Sequence, residues 1–130
     1  MPVTPRAVVH FEVTGEDAAG LRGYYGRLFG WEFDTSSPVA PEVSAPGEYG
    51  FTDPGRTSRG AGIPGGVGGG AGHGPRAVFY VGVPDVGAAL EQAEALGGQR
   101  VMGPVRAPSG LVVAHFRDPA GNLVGVAAVG

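Results

Sequence analysis

Between Ala7 and Val13 the chain reads Ala-Val-Val-His-Phe-Glu-Val, β-branched and aromatic residues in alternation with polar ones, which predicts a strand. From Asp17 the period changes. Leu21, Tyr24, Tyr25 and Leu28 recur at helical spacing, acids stand at the start, arginines follow, and Gly30 closes the run, so a helix is predicted over 17–28. Trp31–Phe33 and Tyr49–Thr52 read as short strands, the second ended by the turn dipeptide Asp53-Pro54. A loop rich in Ser, Pro and Ala lies between them. From Gly55 to Gly74 ten residues in twenty are glycine. A strand around Ile63 and Val67 must therefore have close backbone neighbours, and Gly68–Gly74 reads as a flexible linker.

After Pro75 the order restarts. Ala77–Val83 is a strand, and 86–96 is a helix with Val86, Leu90, Ala93 and Leu96 on its apolar side and Gly97-Gly98 as its stop. Gln99–Met102, Leu111–Phe116 and Leu123–Val129 supply three more strands, the last two joined by the turn Asp118-Pro119-Ala120-Gly121-Asn122. The pattern is βαβββ twice: an α+β domain of 130 residues with eight strands in two four-stranded sheets. Its modules cover about 6–67 and 76–129, joined by a glycine-rich linker at 68–75. Direct overlay supports a repeat, since Val9–Val13 falls on Phe79–Val83 and Phe51-Thr52-Asp53-Pro54 falls on Phe116-Arg117-Asp118-Pro119.

Charge and composition remove several functions. A net charge of -3 and a pI near 5.5 supply no basic field for nucleic acid or anionic lipid. All nine cations are arginine, so a Schiff-base lysine and a P-loop lysine are both missing. No cysteine is present, which excludes disulfides and thiolate chemistry. No apolar run approaches a membrane span, and the chain reads as a soluble cytoplasmic protein.

The residues His10–Val13, Tyr24–Trp31, Gly62–Val67, Phe79–Val86 and Asp118–Asn122, in that order, resemble the vicinal oxygen chelate superfamily of glyoxalases, bleomycin-type resistance proteins and extradiol dioxygenases. The resemblance implies that two curled βαβββ units enclose a ligand cup with helices outside. Strand parity then turns His10 and Glu12 into the cup, with Val9, Phe11 and Val13 under the first helix. In the second unit Val78, Tyr80 and Gly82 face inward, and Phe79, Val81 and Val83 pack under the helix.

Metal-using relatives, by the same resemblance, take a ligand from the first strand of each unit and a carboxylate from the last strand of each. His10 matches the first position. Tyr80 stands at the second, where a neutral phenol is a poor metal ligand. No Asp or Glu occurs between Pro54 and Pro84, and Gly125 holds the fourth place. The expectation is no metal and no cofactor, with His10 lining the cup without ligating. His115 also points inward by alternation with Phe116, whereas His73 reads as a solvated loop residue. Glu12 reads as a solvated strand-end residue at the cup mouth, with a general-base role as the competing one.

The leading function is metal-free binding of a small organic ligand by His10, Glu12, Trp31, Phe51, Tyr80 and His115. The alternative is a metal-independent isomerase or lyase with Glu12 or a histidine as acid–base group. A metal-dependent glyoxalase or dioxygenase comes third. A homodimer is expected, with no nucleic acid or membrane partner.

Overall fold

A computed structural model describes residues 4–53, 55 and 60–129. Its elements are β1 (Val8–Gly15), α1 (Ala18–Phe29), β2 (Gly50–Thr52), β3 (Gly65–Gly69), β4 (Arg76–Gly82), α2 (Val86–Ala95), β5 (Gln99–Arg106), β6 (Leu111–Arg117) and β7 (Leu123–Val129). The expected pair of four-stranded sheets is instead one curled seven-stranded sheet in the order β2-β3-β1-β4-β7-β6-β5. It is continuous because β1 and β4, the first strands of the two modules, pair antiparallel. No helix among the described residues is long and apolar enough to cross a membrane.

The repeat is present in the pairing itself. In the second module β5 pairs antiparallel with β6, β6 with β7, and β7 runs parallel to β4. In the first, β2 pairs antiparallel with β3, which runs parallel to β1. The counterpart of β5 is reduced to a single bridge between Asp34 and Phe51, so the strand expected at Trp31–Phe33 does not form. His10 pairs directly with Tyr80, the residue on which the overlay placed it. The two repeat-equivalent positions thus meet at the junction of the modules.

Both helices start where the sequence supplies an N-cap. Asp17 Oδ1 accepts from Gly20 N at 2.9 Å, and Asp85 Oδ1 from Ala88 N at 3.0 Å. α1 ends at Gly30 in the left-handed conformation, φ 74°, which only glycine adopts freely. The reversal turns Trp31 back onto the helix, 5.5 Å from the Tyr25 ring and 5.1 Å from Phe29. Under α2, Val86, Leu90, Ala114 and Val126 form a buried cluster joined by Val81, Val83 and Phe116. Leu96 lies beyond the last turn of α2 and is exposed, as is Phe79. Phe79 therefore lacks the helix cover that parity suggested.

The glycine-rich segment contains a structural strand, β3. All five residues of β3 are buried, so the linker is shorter than expected and begins after Gly69. A Cβ on Gly65 would sit 2.1 Å from the Phe11 ring, which crosses it to reach Trp31 at 5.4 Å. Pro54, in the turn expected after β2, lies outside the described residues.

Gly65→Ala forces Phe11 out of this packing and is expected to destabilise the protein by about 1–3 kcal/mol. Urea unfolding followed by circular dichroism measures it, and an unchanged midpoint would count against the close approach.

Candidate functional site

His10 and Glu12 of β1 point to the concave side of the sheet, as do Val78 and Tyr80 of β4 and Val113 and His115 of β6. They meet a covering segment, residues 35–48, that carries no regular structure other than two short turns. Its Ala40, Val43 and Ser44 are buried. The segment is fastened at Ser44, whose Oγ accepts from Gly69 N at 2.9 Å and donates to Gly69 O at 3.1 Å, and at Ala45 N, which donates to the same carbonyl at 2.7 Å. Between sheet and segment lies a cavity of about 260 Å³ lined by Val39, Val43, Phe51, Leu111 and Val113, with His10, Glu12, Tyr49 and Tyr80 as its polar part.

Val9 also lines this cavity, contrary to the parity that put it under α1. The β1–β4 register slips between Val8 and His10. Two steps along β1 there match one along β4, and this bulge turns Val9 toward the cup mouth.

Glu12 is the centre of the polar group. The expectation of a solvated residue at the cup mouth is overturned, since it is 2% exposed. Its partner across the ladder is Val78, so Arg76 and Tyr80 are its two same-face diagonal neighbours. Arg76 Nη2 donates to Oε2 at 2.8 Å and also to Val43 O at 3.2 Å. Tyr80 Oη lies 3.1 Å from both carboxylate oxygens, and Tyr49 Oη donates to Oε1 at 3.0 Å. Each tyrosine has a histidine behind it: His10 Nε2 is 2.9 Å from Tyr49 Oη, and His115 Nε2 is 2.7 Å from Tyr80 Oη. The result is one connected row, His10–Tyr49–Glu12–Tyr80–His115, with Arg76 as its cation.

Burial pushes the Glu12 carboxyl above the ordinary carboxylate range, while Arg76, Tyr49 and Tyr80 pull it back. Arg76 decides its state at neutral pH, because a protonated Glu12 would leave that guanidinium without a counter-charge beside a buried site. Burial also lowers both histidines to about 4, so they are neutral. Tyr49 and Tyr80 are raised by burial and by the Glu12 charge, and stay protonated donors.

Of the six expected ligand-binding residues, His10, Glu12, Phe51 and Tyr80 line the cavity. His115 faces inward but is sealed behind Tyr80, 2% exposed. Trp31 is on the other side of the sheet with Phe11, Tyr25 and Phe29, because the Gly30 turn folds it onto α1. Sequence reasoning missed Tyr49 and Arg76. Both carried a signal: Tyr49 alternates with Phe51, and Arg76 lies on the Tyr80 face two periods earlier.

A resident divalent metal does not fit these residues. No group of three or more His, Asp or Glu side chains stands together in a metal-binding arrangement among the described residues. The space such ligands need is taken by rings. A Cβ on Gly125 would be 2.5 Å from Tyr80, and one on Gly66 would be 2.0 Å from Tyr49.

A curled sheet built from two βαβββ modules, with a cup on its concave face, defines a glyoxalase-like protein. The Glyoxalase/Bleomycin resistance protein/Dioxygenase superfamily model matches residues 7–126, and the chain belongs to that superfamily. Among solved structures it is similar to methylmalonyl-CoA epimerase from Mycobacterium tuberculosis, with a TM-score of 0.63 at 13% identity over 100% of this chain and 93% of that one. It is also similar to Streptomyces coelicolor methylmalonyl-CoA epimerase in complex with 2-nitronate-propionyl-CoA, TM-score 0.60 at 16% identity over 96% and 98%. A third is a Legionella pneumophila protein described as an NAD-dependent benzaldehyde dehydrogenase, TM-score 0.61 at 11% identity over 97% and 100%. At these identities the likeness is one of fold. No curated protein matches the chain.

Two outcomes follow from the buried row. Glu12→Gln leaves Arg76 unpaired and is expected to cost about 3 kcal/mol, at the low end for a broken buried pair because Arg76 is partly exposed; chemical denaturation at neutral pH measures it. The histidines make stability pH-dependent. Unfolded, they take up protons near 6.5, and folded only near 4, so their contribution is full above 6.5 and is lost as pH falls toward 4. Glu12, with its raised folded value, takes up its proton first in the folded state and offsets part of that loss. His115→Gln keeps an N–H for Tyr80 without the titration, and by pH 4 the wild type should have lost on the order of 3 kcal/mol more than this variant. Parallel urea titrations at pH 7 and pH 4 check this.

Proposed function

We propose that this protein is a metal-independent binding protein for a small organic ligand, held in the cup between the sheet and residues 35–48. The observation that carries the reading is the satisfied state of Glu12. Both of its oxygens already have donors, so it orients the two tyrosines of the cup wall and is not a free base facing a substrate. The walls around it are apolar, and the cavity is slightly smaller than the usual range for ligand sites.

Acid–base turnover through His10 is the second reading, favoured by one fact: His10 is the one ring nitrogen-bearing group on the cavity wall. The methylmalonyl-CoA named for the epimerases supports neither reading directly. Among the cavity-lining residues there is no arginine to meet its carboxylate, and the nearest one, Arg76, is engaged by Glu12. We also propose a homodimer, since Tyr24, Leu28 and Phe29 on α1 are each more than half exposed.

Isothermal calorimetry with 1-naphthol, an apolar probe of suitable size, is expected to show saturable binding near one per chain that Leu111→Trp abolishes by filling the cavity. Metal analysis of protein purified without chelator should return no stoichiometric Zn, Fe, Ni or Mn, and stoichiometric metal would overturn the reading. Light scattering at micromolar concentration should give a mass near twice 13.0 kDa; a monomer mass across the dilution series would remove the dimer.

A further inference from the structure

The hydrogen-bond row has a direction, and the direction determines what a ligand meets in the cup. Glu12, ionised beside Arg76, can only accept. Tyr49 has a single hydroxyl proton and lies 3.0 Å from Oε1. Pointing that proton elsewhere would set two oxygen lone pairs against each other in a buried place, so it goes to Glu12. The Tyr49 oxygen then has only lone pairs for His10 Nε2 at 2.9 Å, and Nε2 must carry the hydrogen. The same steps on the other side make His115 the donor to Tyr80 at 2.7 Å.

A neutral imidazole with its hydrogen on Nε2 presents a bare lone pair at Nδ1. His10 Nδ1 has no hydrogen-bond partner among the described residues. It is also not among the buried unpartnered atoms of the described residues, which are Thr52 Oγ1 and Arg76 Nε, so it is not fully sealed. The His10 ring forms part of the cavity wall, with the Tyr80 ring 5.8 Å and the Phe51 ring 6.1 Å away.

We infer that the ligand is a neutral molecule of the phenol class, an aromatic body bearing an O–H that donates to Nδ1 of His10, and that Tyr49 acts as a positioning residue by holding His10 in the acceptor tautomer. This rests on the reading that the cup binds a ligand, and it names the class. A carboxylate would bring a charge to a lone pair with no unpaired cation in the wall. An ether or ketone would bring lone pairs to a lone pair. A phenol satisfies Nδ1 and lays its ring among Phe51, Tyr49 and Tyr80.

Two measurements test this together. Long-range proton–nitrogen correlation on uniformly labelled, unliganded protein at pH 7.5 should show both His10 and His115 with the hydrogen on Nε2. Tyr49→Phe should remove the bias at His10 and leave His115 as it was. A hydrogen on His10 Nδ1 in the wild type would overturn the inference. Calorimetry should rank 1-naphthol about tenfold tighter than 1-methoxynaphthalene, the value of one buried hydrogen bond, with 1-naphthoate weaker still; Tyr49→Phe should narrow the first ratio. Equal or tighter binding of the ether or the carboxylate would overturn the phenol class while leaving the binding function in place. Failure of all three probes to bind would overturn the binding function and the inference with it.

Discussion

Everything in the concave half of this molecule depends on how one carboxylate is kept out of water. A lone ionised Glu12 at 2% exposure would be untenable in a site of low polarity. Its three donors come from two separate places: Arg76 and Tyr80 from β4, and Tyr49 from the residue before β2. The charge can be satisfied only when the module junction, the first module's sheet edge and the covering segment are all in position. Burial of Glu12 therefore links local strand pairing to the closure of the cup.

The tyrosines that serve Glu12 are accommodated by glycines. Gly66 and Gly68 leave room for Tyr49, and Gly125 leaves room for Tyr80. A side chain on the last strand of either module and a ring from its neighbour cannot share that space. The choice of ring over carboxylate converts what metal-using relatives would make a ligand set into a wall of oriented hydroxyls and neutral imidazoles. It also accounts for two of the four glycines of β3, Gly66 and Gly68.

The two modules are related in topology but differ in their walls. The second presents a full strand, β5, at its outer edge. The first has a single bridge at Asp34 and passes residues 35–48 over the cavity. One side of the cup is thus a hydrogen-bonded sheet, and the other is a segment fastened to β3 through Ser44 and Ala45. Fewer ladder bonds make the segment side the easier one to open.

Local pattern was enough to locate the helices, the repeat and the inward face of each first strand, because period and capping act over a few residues. The same alternation turned His10, Tyr80 and His115 inward, while the missing carboxylates could be read only against the resemblance to metal-using relatives. It misplaced Trp31, whose direction was decided by the left-handed turn at Gly30 and by three aromatic neighbours. It misjudged Glu12, whose burial depends on Arg76, sixty-four residues away along the chain, and on Tyr49 in a segment without periodicity. Strand parity assigns a face, but the depth of a side chain on that face is set by what covers it. That cover is assembled only when distant parts of the chain pack together.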